Sequence, residues 1–268
     1  MIKRTFLFFF IITSNINSYG QEKDKYSGRI TYEEIYRNPE MNIKEKTLYF
    51  NKEQSYFEWF EKSKNVKTLQ DGSTIYPSNT DSSIERTSRF QLHNHKNKEF
   101  YIRLFNRNKE RLVKNTYHRF NWELLEETKK IDRFTCQRAE TVYKGRTYIA
   151  WFTNEIPAPF GPAMFHGLGG MILELYEENQ ILYYLAKSIS INTEVIDIKG
   201  KVKGVNFSKA ISEEEYNKIA KQETKELESR LNASRPKGSS PIRLSGGDCD
   251  DCGERLDKEK TKDNDKKN

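Results

Sequence analysis

Strand-like runs recur about every ten residues between Gly28 and Ile191, and the short loops between them leave no room for crossover helices. The run Gly28–Tyr36 (GRITYEEIY) sets Ile30 and Tyr32 on one face and Thr31 and Glu33 on the other, the period-2 alternation of a half-buried strand. Lys46–Asn51, Gln54–Phe60, Phe90–Leu92, Glu99–Phe105 and Tyr117–Glu126 continue the series. Phe134–Tyr143 and Arg146–Phe152 then pair around Lys144-Gly145, and Met171–Tyr176 and Ile181–Ile191 around Glu177–Gln180. Gln70–Ser83, rich in Asp, Gly, Ser, Asn and Pro, is a loop. The spacing predicts a mainly β domain built as an antiparallel meander. A long meander with one apolar face must curl or close to bury it. A curved open sheet or half-barrel is expected, with a closed barrel as the alternative.

The two ends of the chain differ from this body. Lys3 and Arg4 precede an apolar run, Thr5–Thr13, of about nine residues, far short of the ~20 that span a bilayer. Ser18 and Gly20 then offer small residues at −3 and −1 of a cut before Gln21. Residues 1–20 read as a secretory signal peptide, and no cysteine lies near the cut to carry a lipoprotein anchor. Removing them takes away Lys3 and Arg4 and no acid, which leaves 44 basic minus 39 acidic residues, or +5. Those charges interleave, as on a solvated surface; they form no stripe for nucleic acid. At the other end Ser212 and Glu215 make a capping-box signature, and Tyr216, Ile219, Ala220, Leu227 and Leu231 form an apolar stripe at helical spacing. The domain plan is therefore a β domain over 21–210, a helix over 211–233 and a charged tail over 234–268. The tail lacks the apolar residues to bury a core and is expected to be disordered.

One stretch between two strand-like runs is built for an unusual backbone path: Glu155–Tyr176, EIPAPFGPAMFHGLGGMILELY, with three prolines and four glycines. Its element Gly167-Leu168-Gly169-Gly170-Met171-Ile172 resembles the hexapeptide of the GLPGLI family of exported bacteroidete proteins. The resemblance extends through Phe134–Arg146, Ala150–Pro157 and Phe160–Pro162 and covers roughly Ser27 to Phe207. Gly169 stands where the family has proline, and Met171 where it has leucine. The resemblance implies export and a β domain but no established reaction. Phe160, Phe165 and Leu168 are expected to lie buried beneath the loop. Phe160, Pro162, Phe165, His166, Gly167, Leu168, Gly169 and Gly170 are the candidate binding residues.

Other chemistry-bearing residues are sparse. His166, just before Gly167, is the best-placed titratable group and the candidate catalytic base. His93-x-His95 would put two imidazoles on one strand face, half of a metal site with no local carboxylate to complete it. His118 is expected on a strand beside Tyr117. Cys249 and Cys252 form a C-x-x-C in an acidic, Gly-rich tail, where no helix N-terminus lowers a thiol pKa; they are candidate metal ligands supplying two of the four that zinc needs, with no second pair nearby, and export favours instead a simple tail disulfide or inert pair. Cys136 is then the odd cysteine, expected buried and inert. No P-loop, G-x-S-x-G elbow, H-E-x-x-H or dinucleotide fingerprint occurs, and no cofactor is implied.

Three functions fit these residues. The first is a binding module whose aromatic sheet holds an apolar or peptide ligand or an envelope partner. The second is an accessory subunit of an envelope complex, docking through the helix and tail. The third is a hydrolase using His166. The signal-peptide reading yields a direct expectation: mass analysis of the exported protein should find Gln21 at its N-terminus, and retention of residues 1–20 would refute it.

Overall fold

The computed structural model describes residues 27–37, 41–62, 67–68, 74–75, 86–106, 109–192, 196–236 and 238–244. The expected signal segment, Cys249, Cys252 and most of the Gln70–Ser83 stretch lie outside the described residues. Among the described residues, twelve of fourteen strands form one sheet, in which every pair of neighbours is antiparallel except that made by the final strand. Its first half is a meander of β1 (Gly28–Arg37), β2 (Met41–Phe50), β3 (Gln54–Lys62), β6 (Arg86–Asn94), β7 (Glu99–Asn106) and β8 (Lys109–Asn115). Between β3 and β6, β4 (Lys67–Thr68) and β5 (Thr74–Ile75) pair only with each other. The second half is a meander of β9 (Glu123–Ile131), β10 (Phe134–Tyr143), β11 (Arg146–Thr153), β12 (Met171–Glu177) and β13 (Leu182–Ile191). β13 pairs with β1 and welds the halves; β14 (Ile211–Ser212) adds in parallel beside β8.

The sheet is curled but open. In the order β14-β8-β7-β6-β3-β2-β1-β13-β12-β11-β10-β9, ten inter-strand steps separate β8 from β9. Flat, that is about 48 Å. Residues 116–122 alone join Asn115 to Glu123, eight Cα steps that reach at most about 28 Å. The sheet must therefore bend until its edges approach. Bulges at Thr31/Tyr32, Gln137/Ala139 and Trp151/Phe152 supply local bends. Tyr32 of β1 consequently shares one apolar cluster with Cys136 and Ala139 of β10, and its hydroxyl donates to the Ile172 carbonyl of β12 at 2.5 Å. The edges do not pair, so the curved open sheet holds and the closed barrel does not.

This cluster fills the curl with Phe50, Phe57, Trp59, Phe152 and the apolar side chains of the central loop. Cys136 sits inside it as a free thiol, and burial pushes its pKa up to about 11. An ion pair is enclosed as well: Lys46, 3% exposed, meets Glu34 at 2.8 Å beneath the Trp59 ring. A second face of β3, β6, β7 and β8 is covered by α1 (Ile198–Lys201) and a 3-10 turn at Phe207–Lys209, elements the strand pattern did not predict. The expected helix is α2 (Glu213–Ala233); the Ser212 hydroxyl accepts from the Glu215 N–H at 3.1 Å. Tyr216 and Ala220 pack on Phe100, Ile102, Leu104 and Val113, while Glu223 meets Arg111 at 2.7 Å. The start of the expected tail is tied back to α2, with Ile242 N–H donating to Asn232 Oδ1 and Leu244 N–H to Glu228 Oε1.

One strand expectation needs correction. Tyr117–Glu126 is not a strand; residues 116–122 are an irregular strap and β9 begins at Glu123. The strap has no strand beside it to pair with, and its aromatic rings pack inward. β8, unanticipated, hides behind its charges: KERLVKN buries Leu112 and Val113.

The central loop between β11 and β12 is pinned by backbone bonds. Gly167 N–H donates to Pro159 O at 2.9 Å, Ile172 N–H to Phe160 O at 2.9 Å and Met171 N–H to Ile156 O at 3.0 Å. Phe160, Phe165 and Leu168 are buried beneath it as expected. Two glycines serve different ends. Gly167 has φ +95° with open space where a side chain would be; a Cβ on Gly170 would lie 1.9 Å from the Thr153 carbonyl oxygen. Gly167→Ala should cost about 1 kcal/mol through its backbone. Gly170→Ala should cost roughly 3 kcal/mol or more, since main chain must move. Chemical denaturation of both variants measures this, and equal losses would show that the loop yields freely at Gly170.

Candidate functional site

The strap crosses the central loop, and the two enclose a half-open cleft of about 830 Å³. Tyr117, Phe120 and Trp122 form one wall; His166, Gly167 and Gly169 of the loop form another; His95 and Lys98 enter from the β6–β7 turn. The aromatic side chains face inward because the strap has no ladder partners and buries rings instead. Phe120 stacks on Phe165 at 4.9 Å between centroids. Trp122 Nε1 donates to the His166 carbonyl at 2.9 Å and ties strap to loop.

Three histidines meet behind this wall. His166 lies 5.5 Å from His93 and 6.4 Å from His95, ring centre to ring centre. The Tyr117 hydroxyl stands between two of them, 2.7 Å from His95 Nδ1 and 3.5 Å from His166 Nδ1. His93 stacks on Phe100 at 4.1 Å and is buried. Burial, then the proximity of His95 and Lys98, lowers His166 to about 3. Burial drives His93 in the same direction, and raises Tyr117 to about 12. The imidazoles are therefore neutral at physiological pH and act as hydrogen-bonding, stacking groups.

The expected site residues separate into two sets. Phe160, Pro162, Phe165 and Gly170 are buried, with both phenylalanines in the core. His166, Gly167, Leu168 and Gly169 line the cleft. His93 and His95 converge on His166, but their shared strand face does not exist: β6 ends at Asn94 and His95 lies in the turn. No group of three or more His, Cys, Asp or Glu with metal-holding geometry occurs among the described residues. His118 lies on the strap, not on a strand, with its ring against Phe120 and Tyr143. The sequence reading missed Lys98, Arg119, Phe120 and Trp122. Recognising β8 would have exposed Arg119, Phe120 and Trp122, because it leaves 116–122 as a connection that must span the sheet; Lys98, in the β6–β7 turn, carried no such signal.

A family model described as "Protein of unknown function (Porph_ging)" matches residues 139–174, from β10 through the central loop into β12. No curated protein matches the chain. Among solved structures, PNGF-II in a C2 crystal form is 18% identical with a TM-score of 0.46, over 70% of this chain and 31% of that one. PNGF-II in a P21 form is 16% identical with a TM-score of 0.48, over 72% and 33%. The chain thus spans about a third of the length of the PNGF-II chains it matches. A putative outer membrane lipoprotein-sorting protein domain from Vibrio parahaemolyticus is 9% identical with a TM-score of 0.31, over 65% of this chain and 89% of that one.

The low His166 pKa has a thermodynamic consequence. An unfolded histidine binds its proton near pH 6.5, the folded His166 only near 3. Between those values the unfolded state holds more protons, so stability is full above about 6.5 and falls as pH drops. His166 should contribute a slope approaching 1.4 kcal/mol per pH unit, roughly, between pH 6 and 5. Denaturation of the protein and of His166→Gln at both pH values checks this; the variant should show the shallower slope, and equal slopes would refute a buried neutral imidazole.

Proposed function

We propose that this chain is an exported, non-catalytic binding module of GLPGLI type, and that the cleft between strap and central loop holds an apolar or peptide ligand. The carrying observation is the cleft itself: a half-open volume of about 830 Å³, walled by aromatic rings and by a loop whose backbone is pinned on both sides. A concave, pre-formed cleft that sets aromatic rings beside convergent polar groups is what small-ligand and peptide sites share. Export is supported by the N-terminal apolar run and its small-residue cut.

The hydrolase reading is weaker on physical grounds. A general base works best with a pKa near the operating pH. His166, held at about 3 by burial, is protonated too reluctantly to fill that role. Its ring supports the cleft wall through Tyr117.

Native mass spectrometry of protein isolated from its own host should find a bound mass, and Trp122→Ala, folded by circular dichroism, should lose it. A bare chain mass in every preparation would overturn the proposal.

A further inference from the structure

We infer that the ligand of this cleft carries a carboxylate beside an aromatic or aliphatic group, the carboxylate being held by Lys98 and Arg119. The inference rests on the binding-module reading and names the chemistry of its ligand. Lys98 and Arg119 both line the cleft, and among the described residues no Asp or Glu lines it. Neither cation is paired with an acid among the described residues. Nearby cations are arranged otherwise: Lys96 meets Glu53 at 3.2 Å, Arg103 meets Glu110 at 2.8 Å and Lys114 meets Glu99 at 3.0 Å. The two cations of the cleft thus keep their charge available, with no acid among the described residues of the cleft lining to neutralise them.

Their placement fits a two-part ligand. Lys98 takes a positive φ of 55° at the β6–β7 turn, and its ammonium lies 5.4 Å from the centre of the Tyr117 ring. An anion bound there touches the aromatic wall at once. Arg119 sits on the strap between Tyr117 and the Phe120–Trp122 wall, so its guanidinium can grip a carboxylate through two parallel N–H groups while the apolar part lies along the rings. The neutral imidazoles of His95 and His166 add hydrogen-bonding capacity and no competing charge.

Two sources supply this chemistry, a peptide ending in an apolar residue and a free aromatic acid. Calorimetric titration of the folded protein with N-acetyl-Ala-Ala-Phe as the free acid, the same peptide as its amide, and 3-phenylpropionate separates them. The acid peptide should bind about tenfold more tightly than the amide, and Lys98→Gln with Arg119→Gln should abolish that preference. Both substitutions are at exposed positions and should leave the melting temperature unchanged. Phenylpropionate binding as well as the acid peptide supports a free organic acid as the ligand; binding of the acid peptide alone supports a peptide terminus. Equal affinity for acid and amide overturns the inference and leaves the cleft a binding site. A preference that survives the double substitution also overturns it. If no probe binds, the carboxylate inference fails with these ligands, while a host-derived mass lost in Trp122→Ala would still uphold the cleft.

Discussion

Everything in this structure depends on a seven-residue strap. Residues 116–122 must carry the chain from β8, next to one edge of the sheet, to β9 at the other. A chain that short cannot cross a flat sheet of this width. The sheet therefore curls, the curl encloses one apolar cluster, and the strap is left bridging the open side. Burial and topology then cooperate: the rings that the strap cannot place in a ladder become the wall of a cleft.

The central loop supplies the opposite wall, and its chemistry is that of close approach. Gly170 has no room for a side chain against Thr153, and Gly161 has little against Ile172. Those contacts let the loop lie close against the end of β11 at Thr153 and the start of β12 at Ile172, and β12 is buried along nearly its whole length. Gly169, standing where the family resemblance leads one to expect proline, and Gly167 remain exposed and turn bare backbone toward the cleft. Met171 keeps the volume of leucine in the core and is fully buried.

The electrostatics of the cleft follow from burial more than from charge pairing. His93 and His166 sit where desolvation disfavours the imidazolium, so three histidines can meet without mutual repulsion. The cleft's positive charge is carried by Lys98 and Arg119 at its exposed margin. An aromatic wall, neutral imidazoles and cations on the rim suit recognition of an amphipathic anion better than proton transfer.

By itself the sequence determined most of the long strands, the long helix and the central loop. Period-2 alternation located ten of the runs, nine of them as strands, and Phe134–Tyr143 coincides with β10; the Ser212 cap placed the start of α2. These features are local, because pleat and cap geometry involve residues a few positions apart. Burial of Phe160, Phe165 and Leu168 was legible for the same reason, from their spacing among glycines and prolines. Tertiary structure decided the rest. Nothing in KERLVKN announces a strand until β7 lies beside it, and nothing in YHRFNW announces a strap until β8 and β9 are seen at distant places in one sheet. His93, His95, Tyr117 and His166 come from three separate segments, and only the curl brings them together. Sheet order and the reach of a short connection are relations between distant parts of the chain, and no local pattern encodes them.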